Sequence, residues 1–428
     1  MDKYVGIRRE DKNIWERRVP IVPSDMEWLS REHGIHFITQ PSDIRVFENS
    51  EYIDAGSIVD ENIIPADLIV AVKEIPVDLI SAGKTYVYFS HTIKGQDYNM
   101  AMLKKLMKLK CNLIDYERIV NEKNQRLIFF GKYAGYAGMI ETLHAFGKKL
   151  KLQGIDNSFE EIKQAFEYNS VEEAKSHIRH IGKKIRKTGL PSPGIFGFTG
   201  YGNVSQAAQE ILDLMPVKAI TPDDLESHFD IAENDTNHLY KVVFAEQDMV
   251  KSISGPFNLQ EYYDHPEKYK SQFHKYLPFL SVIVNCIYWT EAYPRLLTKK
   301  YLANNPDIEL SIIGDISVDI DGSIEITNKA TYPDHPTYTY NPHDATYHDG
   351  IIKNGISIMA IDNLPCEFPK ESSSEFSKIL KEFIPGIINL DFDVPFRELS
   401  LPEPIKKALI LQNGELTDDY QYMNKFIK

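Results

Sequence analysis

Residues 194–215, "GIFGFTGYGNVSQAAQEILDLM", join an apolar run to an amphipathic one through two glycines separated by a single residue. Ile195 to Thr199 has the composition of a buried strand, and from about Val204 the apolar residues recur at helical spacing. A strand that enters a helix through Gly200, Tyr201, Gly202, Asn203, Val204 and Ser205 is the opening of a doubly wound α/β unit. The first glycine suits a tight turn. The second lets backbone N–H groups approach an anion at the positive end of the helix dipole. The third small position is Ser205 in place of glycine or alanine, which still allows helix and strand to pack closely. The pattern expects a dinucleotide pyrophosphate held at Gly200, Gly202, Asn203, Val204 and Ser205. A strand–turn–helix without a ligand is the plainer alternative.

Working outward, "VKAI", "HLYKVVFA", "LSVIVNCIYW" and "LSIIGDIS" follow as further strands of the same sheet, each nearly all apolar and so expected to be buried on both faces. Two of them end in polar residues, Asn285 and Asp315, where a cofactor would lie, although caps and turn formers have the same look. Upstream, "KYVGIRR", "IHFITQ", "DLIVAVK", "TYVYFSH", "CNLIDYE" and "RLIFFGKY" read as strands. The helical patterns "PSDMEWLSREHG" and "QDYNMAMLKKLMKLK" alternate with them, so residues 1 to about 133 form a second α/β unit. "AGYAGMIETLHAFGKKLKLQG" reads as a long helix leaving it. The polar stretch 155–190 reads as helical and ends at the Pro/Gly boundary "GLPSPG". The fold class is therefore α/β with two Rossmann-like domains.

The 428 residues suffice for two or three cores. A formal charge of −14 argues against a nucleic-acid or anionic-membrane surface, and "RHIGKKIRKTG" at 179–189 reads as a solvated helix end. No signal-peptide core and no bilayer-spanning stretch is evident. Cys111, Cys286 and Cys366 are too few and too scattered for a disulfide framework or a zinc site, which points to a reduced, cytoplasmic setting.

Two of the upstream strands end on residues able to move a proton, "LIVAVK" at Lys73 and "TYVYFSH" at His91. Strand interiors avoid both types unless they are paired, whereas strand ends in α/β folds open where ligands bind. Each alone reads as an ion-paired lysine or a satisfied core histidine. Together they read as an acid–base pair, since a desolvated lysine and a histidine both titrate near neutrality.

The motifs "GIRREDKNIWERRVPIVP", "AVKEIP…FSHTIK", "FFGKYAGYAGM", "FTGYGNVS", "VNCIYW", "GDISVDIDGSIE" and "SIMAIDNLPCEFPKESSSEFS" together resemble the lysine–ketoglutarate reductase portion of the aminoadipic semialdehyde synthases. They are more distantly similar to the lysine-forming saccharopine dehydrogenases and to the alanine dehydrogenase and transhydrogenase superfamily. The resemblance runs from about residue 4 to about residue 390. It implies a reductive condensation of L-lysine with 2-oxoglutarate to saccharopine, with NADP(H) as cofactor and NAD(H) as the alternative. It also implies a substrate domain built from 1–133 plus 366–428, hence discontinuous, and a dinucleotide domain at 134–365, with a cleft between them.

By the same resemblance Lys73 and His91 are catalytic, and Arg18, from "RRE…WERRVP", contacts a substrate carboxylate, for which a guanidinium fork is suited. Lys94 is a second cationic candidate, Glu74 and Glu117 are acidic residues around the acid–base pair, and Asp362 in "IDNLP" lies near the substrate. An acid about 20 residues past the first glycine would hold an NAD ribose. Here Ile220 and Thr221 stand there, with Asp223 and Asp224 slightly late, so spacing leaves the two cofactors undecided. His335, His343 and His348 cluster with aspartates in "YPDHPTYTYNPHDATYHDG", but at no standard ligand spacing, and no metal is expected.

Those synthases continue into a glutamate-forming dehydrogenase. The stop at 428 leads us to expect a free-standing reductase that passes saccharopine to a separate enzyme. The alternatives are an NAD-linked lysine-forming saccharopine dehydrogenase, an alanine-type amino-acid dehydrogenase and, from another class, a non-catalytic nucleotide-sensing protein.

Overall fold

A computed structural model of the chain describes residues 3–190 and 194–427. The Pro/Gly boundary expected at "GLPSPG" includes Pro191, Ser192 and Pro193, which lie outside the described residues. The chain divides into two compact units, residues 1–130 with 369–428, and residues 131–368.

In the first unit β1 (Tyr4–Ile7), β2 (His36–Thr39), β3 (Ile58–Val59), β4 (Leu68–Val70), β5 (Thr85–Tyr88) and β6 (Asn112–Asp115) form one sheet with the C-terminal strands Leu409–Gln412 and Glu415–Leu416. Its order from one edge is 415–416, 409–412, β6, β5, β4, β1, β2, β3. Strands β1 to β6 pair in parallel, and 409–412 runs antiparallel to β6. Strands β4, β5 and β6 are buried along their whole length, as an apolar run covered on both faces must be. Helix α1 (Pro23–His33) and helix α3 (Asp97–Lys108), with α2 (Asn49–Asp54) between them in the chain, show the usual amphipathic division. On α3, Met100, Leu103 and Leu106 are buried while Lys104 and Lys108 are exposed.

Two elements of this unit differ from the sequence reading. "RLIFFGKY" is not a strand: apart from an isolated bridge of Arg126 to Val120, residues 126–130 are irregular, with Ile128 fully buried and Phe130 stacked on Phe376 at 4.7 Å. The sheet position beyond β6 is already taken by 409–412, so this apolar run fills the core from a loop. "LPEPIKKALILQ" is not one helix either. Its helix ends at Ala408, and Leu409, Ile410 and Leu411, buried and aliphatic, become that same strand. The helix Pro369–Leu380 contributes Phe376 and Leu380 to the core of this unit. The serines of "ESSSEFS" tie it to the segment that leads into α1: Ser373 Oγ accepts from Val19 N–H and Ser377 Oγ from Val22 N–H, both at 3.0 Å.

The second unit begins with α4 (Gly131–Leu152) and α5 (Val171–Thr188), with two short 3-10 turns between them in the stretch 155–190 that reads as helical. Its strands in chain order are β7 (Ile195–Thr199), β8 (Val217–Ile220), β9 (Leu239–Phe244), β10 (Val250–Ser252), β11 (Tyr269–Ser271), β12 (Val282–Asn285), β13 (Ile312–Asp315), β14 (Thr337–Asn341), β15 (Thr346–Asp349) and β16 (Ile356–Met359). Apart from the separate β10–β11 pair they form a sheet of order β15-β14-β16-β13-β12-β7-β9-β8, parallel from β16 to β8. Strand β8 is the outer edge and only partly buried, contrary to the all-buried expectation for "VKAI". An edge tolerates Lys218, which pairs with Asp235 at 2.7 Å. The histidine-rich stretch is the hairpin β14–β15, antiparallel to β16. Helix α6 (Asn203–Leu212) crosses α4 where Gly135 lies: a Cβ there would stand 2.3 Å from Val204 O, so only glycine permits the approach.

Candidate active site

In the first unit β4 and β5 are neighbours in register, Val70 opposite Val87. Their pairing continues past the strand ends, Ala71 N–H to Val87 O and Phe89 N–H to Val72 O, both at 3.1 Å. Lys73 and His91 therefore leave the sheet at the same end of adjacent strands, both half-buried. Glu74 joins this group: its Oε2 lies 3.3 Å from His91 Nδ1 and its Oε1 pairs with Lys12 Nζ at 2.6 Å. Burial opposes the charge on Glu74, but the His91 and Lys12 partners outweigh it and hold the carboxyl down at about 2. The carboxylate is thus ionised wherever the protein is folded near neutrality.

His91 has φ +49°, the left-handed region that costs a residue with a Cβ about 1–3 kcal/mol. The surrounding structure holds it there. Asn99 Nδ2 donates to Ser90 O at 2.9 Å, and buried Asp115 accepts from Ser90 N–H at 3.1 Å, from Ser90 Oγ and from Glu117 N–H at 2.8 Å. Burial, together with the Glu117 charge, pushes the Asp115 carboxyl up to about 6 against the Ser90 hydrogen bond. Lys12, Asn99 and Asp115 are absent from the sequence reading. Asp115 had a signal, since "CNLID" ends on a polar residue as its neighbours do. Lys12 and Asn99 gave none, because only the fold brings the Lys12 loop and the first turn of α3 here.

The other expected substrate residues are placed as follows. Arg18 is 2% exposed, forms a bidentate pair with Glu16 (Nε to Oε1 2.7 Å, Nη2 to Oε2 2.6 Å) and lies 4.1 Å over the Phe130 ring. Its fork is therefore already engaged by a carboxylate of the protein. Glu117 pairs with Arg126 at 2.6 Å. Lys94 is exposed within the turn that follows His91, which Gly95 N–H closes onto Thr92 O at 2.8 Å. Asp362 belongs to the second unit, exposed just after β16.

In the second unit the glycine turn joins β7 to α6. Gly200 has φ +82°, which requires glycine or strain, and its N–H donates to Phe244 O at 2.9 Å. Gly202 is the helix N-cap with no side-chain cap, and a Cβ there would meet nothing within 4 Å. Tyr201, Gly202 and Asn203 are exposed, Val204 is half-buried and Ser205 is buried, its Oγ accepting from Gln209 Nε2 at 3.0 Å. Open space, uncapped N–H groups and the helix dipole make this turn fit a dinucleotide pyrophosphate.

Asn285 and Asp315 are each 1% exposed and are used inside the fold. Asn285 Oδ1 accepts from Thr199 Oγ1 at 2.7 Å, and its Nδ2 donates to Asp315 Oδ1 at 2.9 Å and Ser323 Oγ at 3.0 Å. Thr327 Oγ1 donates to Asp315 Oδ2 at 2.6 Å. The two side chains thus lock the ends of β7, β12 and β13, on which the turn stands.

Beyond β8, Asp223 and Asp224 are exposed, and Asp224 accepts from Thr221 Oγ1 at 2.6 Å. His335, His343 and His348 lie beside Asp334, Asp307 and Thr346 in turn, and among the described residues no group of three or more His, Cys, Asp or Glu is arranged to hold a metal. No helix of the described chain is long and apolar enough to cross a membrane.

Comparison with known proteins fits this geometry. Residues 6–137 match the family described as alanine dehydrogenase/PNT, N-terminal domain. The solved structure of an L-alanine dehydrogenase is similar over 99% of this chain and 100% of its own, with a TM-score of 0.61 and 16% identity. The protein is thus of the alanine dehydrogenase and transhydrogenase fold class. More particularly, the alpha-aminoadipic semialdehyde synthases are similar to it along nearly its whole length. That of Arabidopsis thaliana is 37% identical over 99% of this chain, which spans only 41% of the plant protein's length. A saccharopine dehydrogenase [NAD(+), L-lysine-forming] of Yarrowia lipolytica is 24% identical over 90% of this chain and 91% of its own.

Proposed function

We propose that the chain reductively condenses L-lysine with 2-oxoglutarate to saccharopine, using a nicotinamide cofactor. The observation that carries this is the convergence of Lys73, His91 and ionised Glu74 at the shared end of β4 and β5, in a chain similar to the synthases. The first unit is the substrate unit and the second the dinucleotide unit. Backbone N–H groups at Gly202, Asn203 and Val204, exposed around the turn, would hold the pyrophosphate, with Ser205 and Gly200 shaping the turn and Asn285 and Asp315 positioning it. When bound, the cofactor supplies the hydride that reduces the imine carbon.

The chain's own residues move the protons. As the ε-amine of the substrate lysine adds to the keto carbon, one member of the Lys73/His91 pair takes a proton from the nitrogen. The other gives one to the departing hydroxyl, so that water leaves and the imine forms. Glu74, held ionised, faces His91 Nδ1 at 3.3 Å and so orients the imidazole ring. Arg18, Lys94 and Asp362 are assigned to substrate recognition, Arg18 sharing its charge with Glu16, and Glu117 to the electrostatics around Asp115. NADP(H), a cytoplasmic location and a separate glutamate-forming partner enzyme belong to the same proposal.

The test is loss of reduced-nicotinamide absorbance by the purified chain with lysine and 2-oxoglutarate, run with NADPH and with NADH. Consumption that needs both substrates supports the reading. Consumption with pyruvate and ammonia instead identifies an alanine-type dehydrogenase, and dinucleotide binding without any turnover identifies a nucleotide-sensing protein.

A further inference from the structure

We infer that Glu10 is a positioning residue for Lys73: its carboxylate fixes the backbone from which the lysine side chain leaves the sheet. This inference rests on the reading of Lys73 and His91 as the acid–base pair. Strand β1 lies beside β4, and their main-chain pairing runs out at Arg8 N–H to Val70 O, 3.0 Å. Past that point the β1 chain departs, with Arg9 N–H donating to Gln40 Oε1 at 3.3 Å. The next N–H groups on this side of the β4 chain must find another acceptor, because a buried N–H without a partner is costly. Glu10 provides it. Its Oε1 accepts from Val72 N–H at 2.6 Å and its Oε2 from Lys73 N–H at 3.0 Å, with Glu10 7% and Val72 0% exposed.

The chemistry of that contact selects a carboxylate. Two N–H donors in succession need two acceptor oxygens on one side chain, which aspartate and glutamate have and glutamine lacks, since its NH2 would face a donor. The same carboxylate extends the sheet beyond its last β1–β4 main-chain bond, carrying the register of β4 onto the residue that starts the neighbouring loop. Val72 O meanwhile accepts from Phe89 N–H on the β5 side, two residues before His91. Glu10 therefore clamps one edge of a two-residue segment whose other edge leads to His91. It acts through the Lys73 backbone and needs no contact with substrate.

The experiment labels the lysine amines of the full chain by reductive 13C-methylation, identifies the Lys73 signal by its loss in Lys73→Arg, and compares wild type with Glu10→Gln. The Lys73 signal is expected to shift in Glu10→Gln while signals of distant lysines stay in place. Turnover of the unlabelled variant is expected to fall about 10-fold or more, with dinucleotide affinity unchanged. Glu10→Asp keeps both acceptor oxygens and is expected to lie between the two. If Glu10→Gln does not fold, Glu10→Asp is read by the same criterion against wild type. A folded variant whose Lys73 signal stays at its wild-type position overturns the inference. Wild type without turnover on lysine and 2-oxoglutarate sinks the functional reading alone, because the Lys73 signal still decides the role of Glu10.

Discussion

Replacing Glu367 with methionine is expected to stabilise the second unit, and more so as the pH rises. Glu367 ends a 3-10 turn, is 2% exposed, and neither carboxyl oxygen has a hydrogen-bond partner among the described residues. A buried polar group left in this state costs about 1–3 kcal/mol, which methionine of similar length removes. Protonation adds a second contribution. Burial, reinforced by the charge of Glu141, pushes the Glu367 carboxyl well above its ordinary value of 4.5. Burial likewise pushes Glu141 up to about 8, although Ala165 N–H at 2.6 Å and Gln164 Nε2 at 3.3 Å donate to it. A carboxyl whose folded pKa lies above its unfolded one contributes full stability below the unfolded pKa and loses it as pH rises toward the folded one. The slope is about 1.4 kcal/mol per pH unit for each such group. The gain from Glu367→Met is therefore about 1–3 kcal/mol at low pH and grows, by at most about 1.4 kcal/mol per unit, as pH rises toward the raised pKa of the buried carboxyl. Hydrogen exchange of α4 peptides by mass spectrometry, corrected for intrinsic rates, reads the opening free energy at pH 6 and pH 8. A variant that opens more easily than wild type, or gains equally at both pH values, refutes the reasoning.

Three further outcomes are expected. Lys73→Met and His91→Gln should each lower turnover about 10²-fold while dinucleotide affinity by calorimetry stays the same; full turnover in both would remove the acid–base assignment. Gly202→Val puts a branched side chain into open space that a pyrophosphate would occupy, so dinucleotide affinity should fall sharply with the melting temperature little changed. Gly135→Ala brings a methyl within 2.3 Å of Val204 O, so overpacking should cost about 1–3 kcal/mol of stability and weaken dinucleotide binding by moving the turn. Unaltered melting would mean that the α4–α6 crossing relaxes freely.

The buried parallel strands were legible because their chemistry is local: an all-apolar run bounded by turn residues, as in "DLIVAV" or "TYVYF", has few other solutions. "RLIFF" has the same composition and is a loop, because the neighbouring place in the sheet went to residues nearly three hundred positions away. "ALILQ" shows the converse, a strand whose apolar run continues a helical pattern without any break in period. The glycine turn was readable since it depends on a few contiguous residues. The grouping of Lys73 and His91 was readable only as two strand ends. Lys12 reaches that group from a loop and Asn99 from the first turn of α3, which no spacing encodes, and the engagement of Arg18 by Glu16 depends on the shape of one short turn.

In the proposed reaction a hydride and the lysine ε-nitrogen end on the same carbon. Incubating the chain with ε-15N-lysine, 2-oxoglutarate and a reduced dinucleotide deuterated at C4 on either face, then analysing the product by mass spectrometry and NMR, tests it directly. The expected product is saccharopine that retains the 15N, with deuterium from one face on the former keto carbon beside it. Deuterated glutamate or alanine, or no transfer of deuterium to any product, would contradict it.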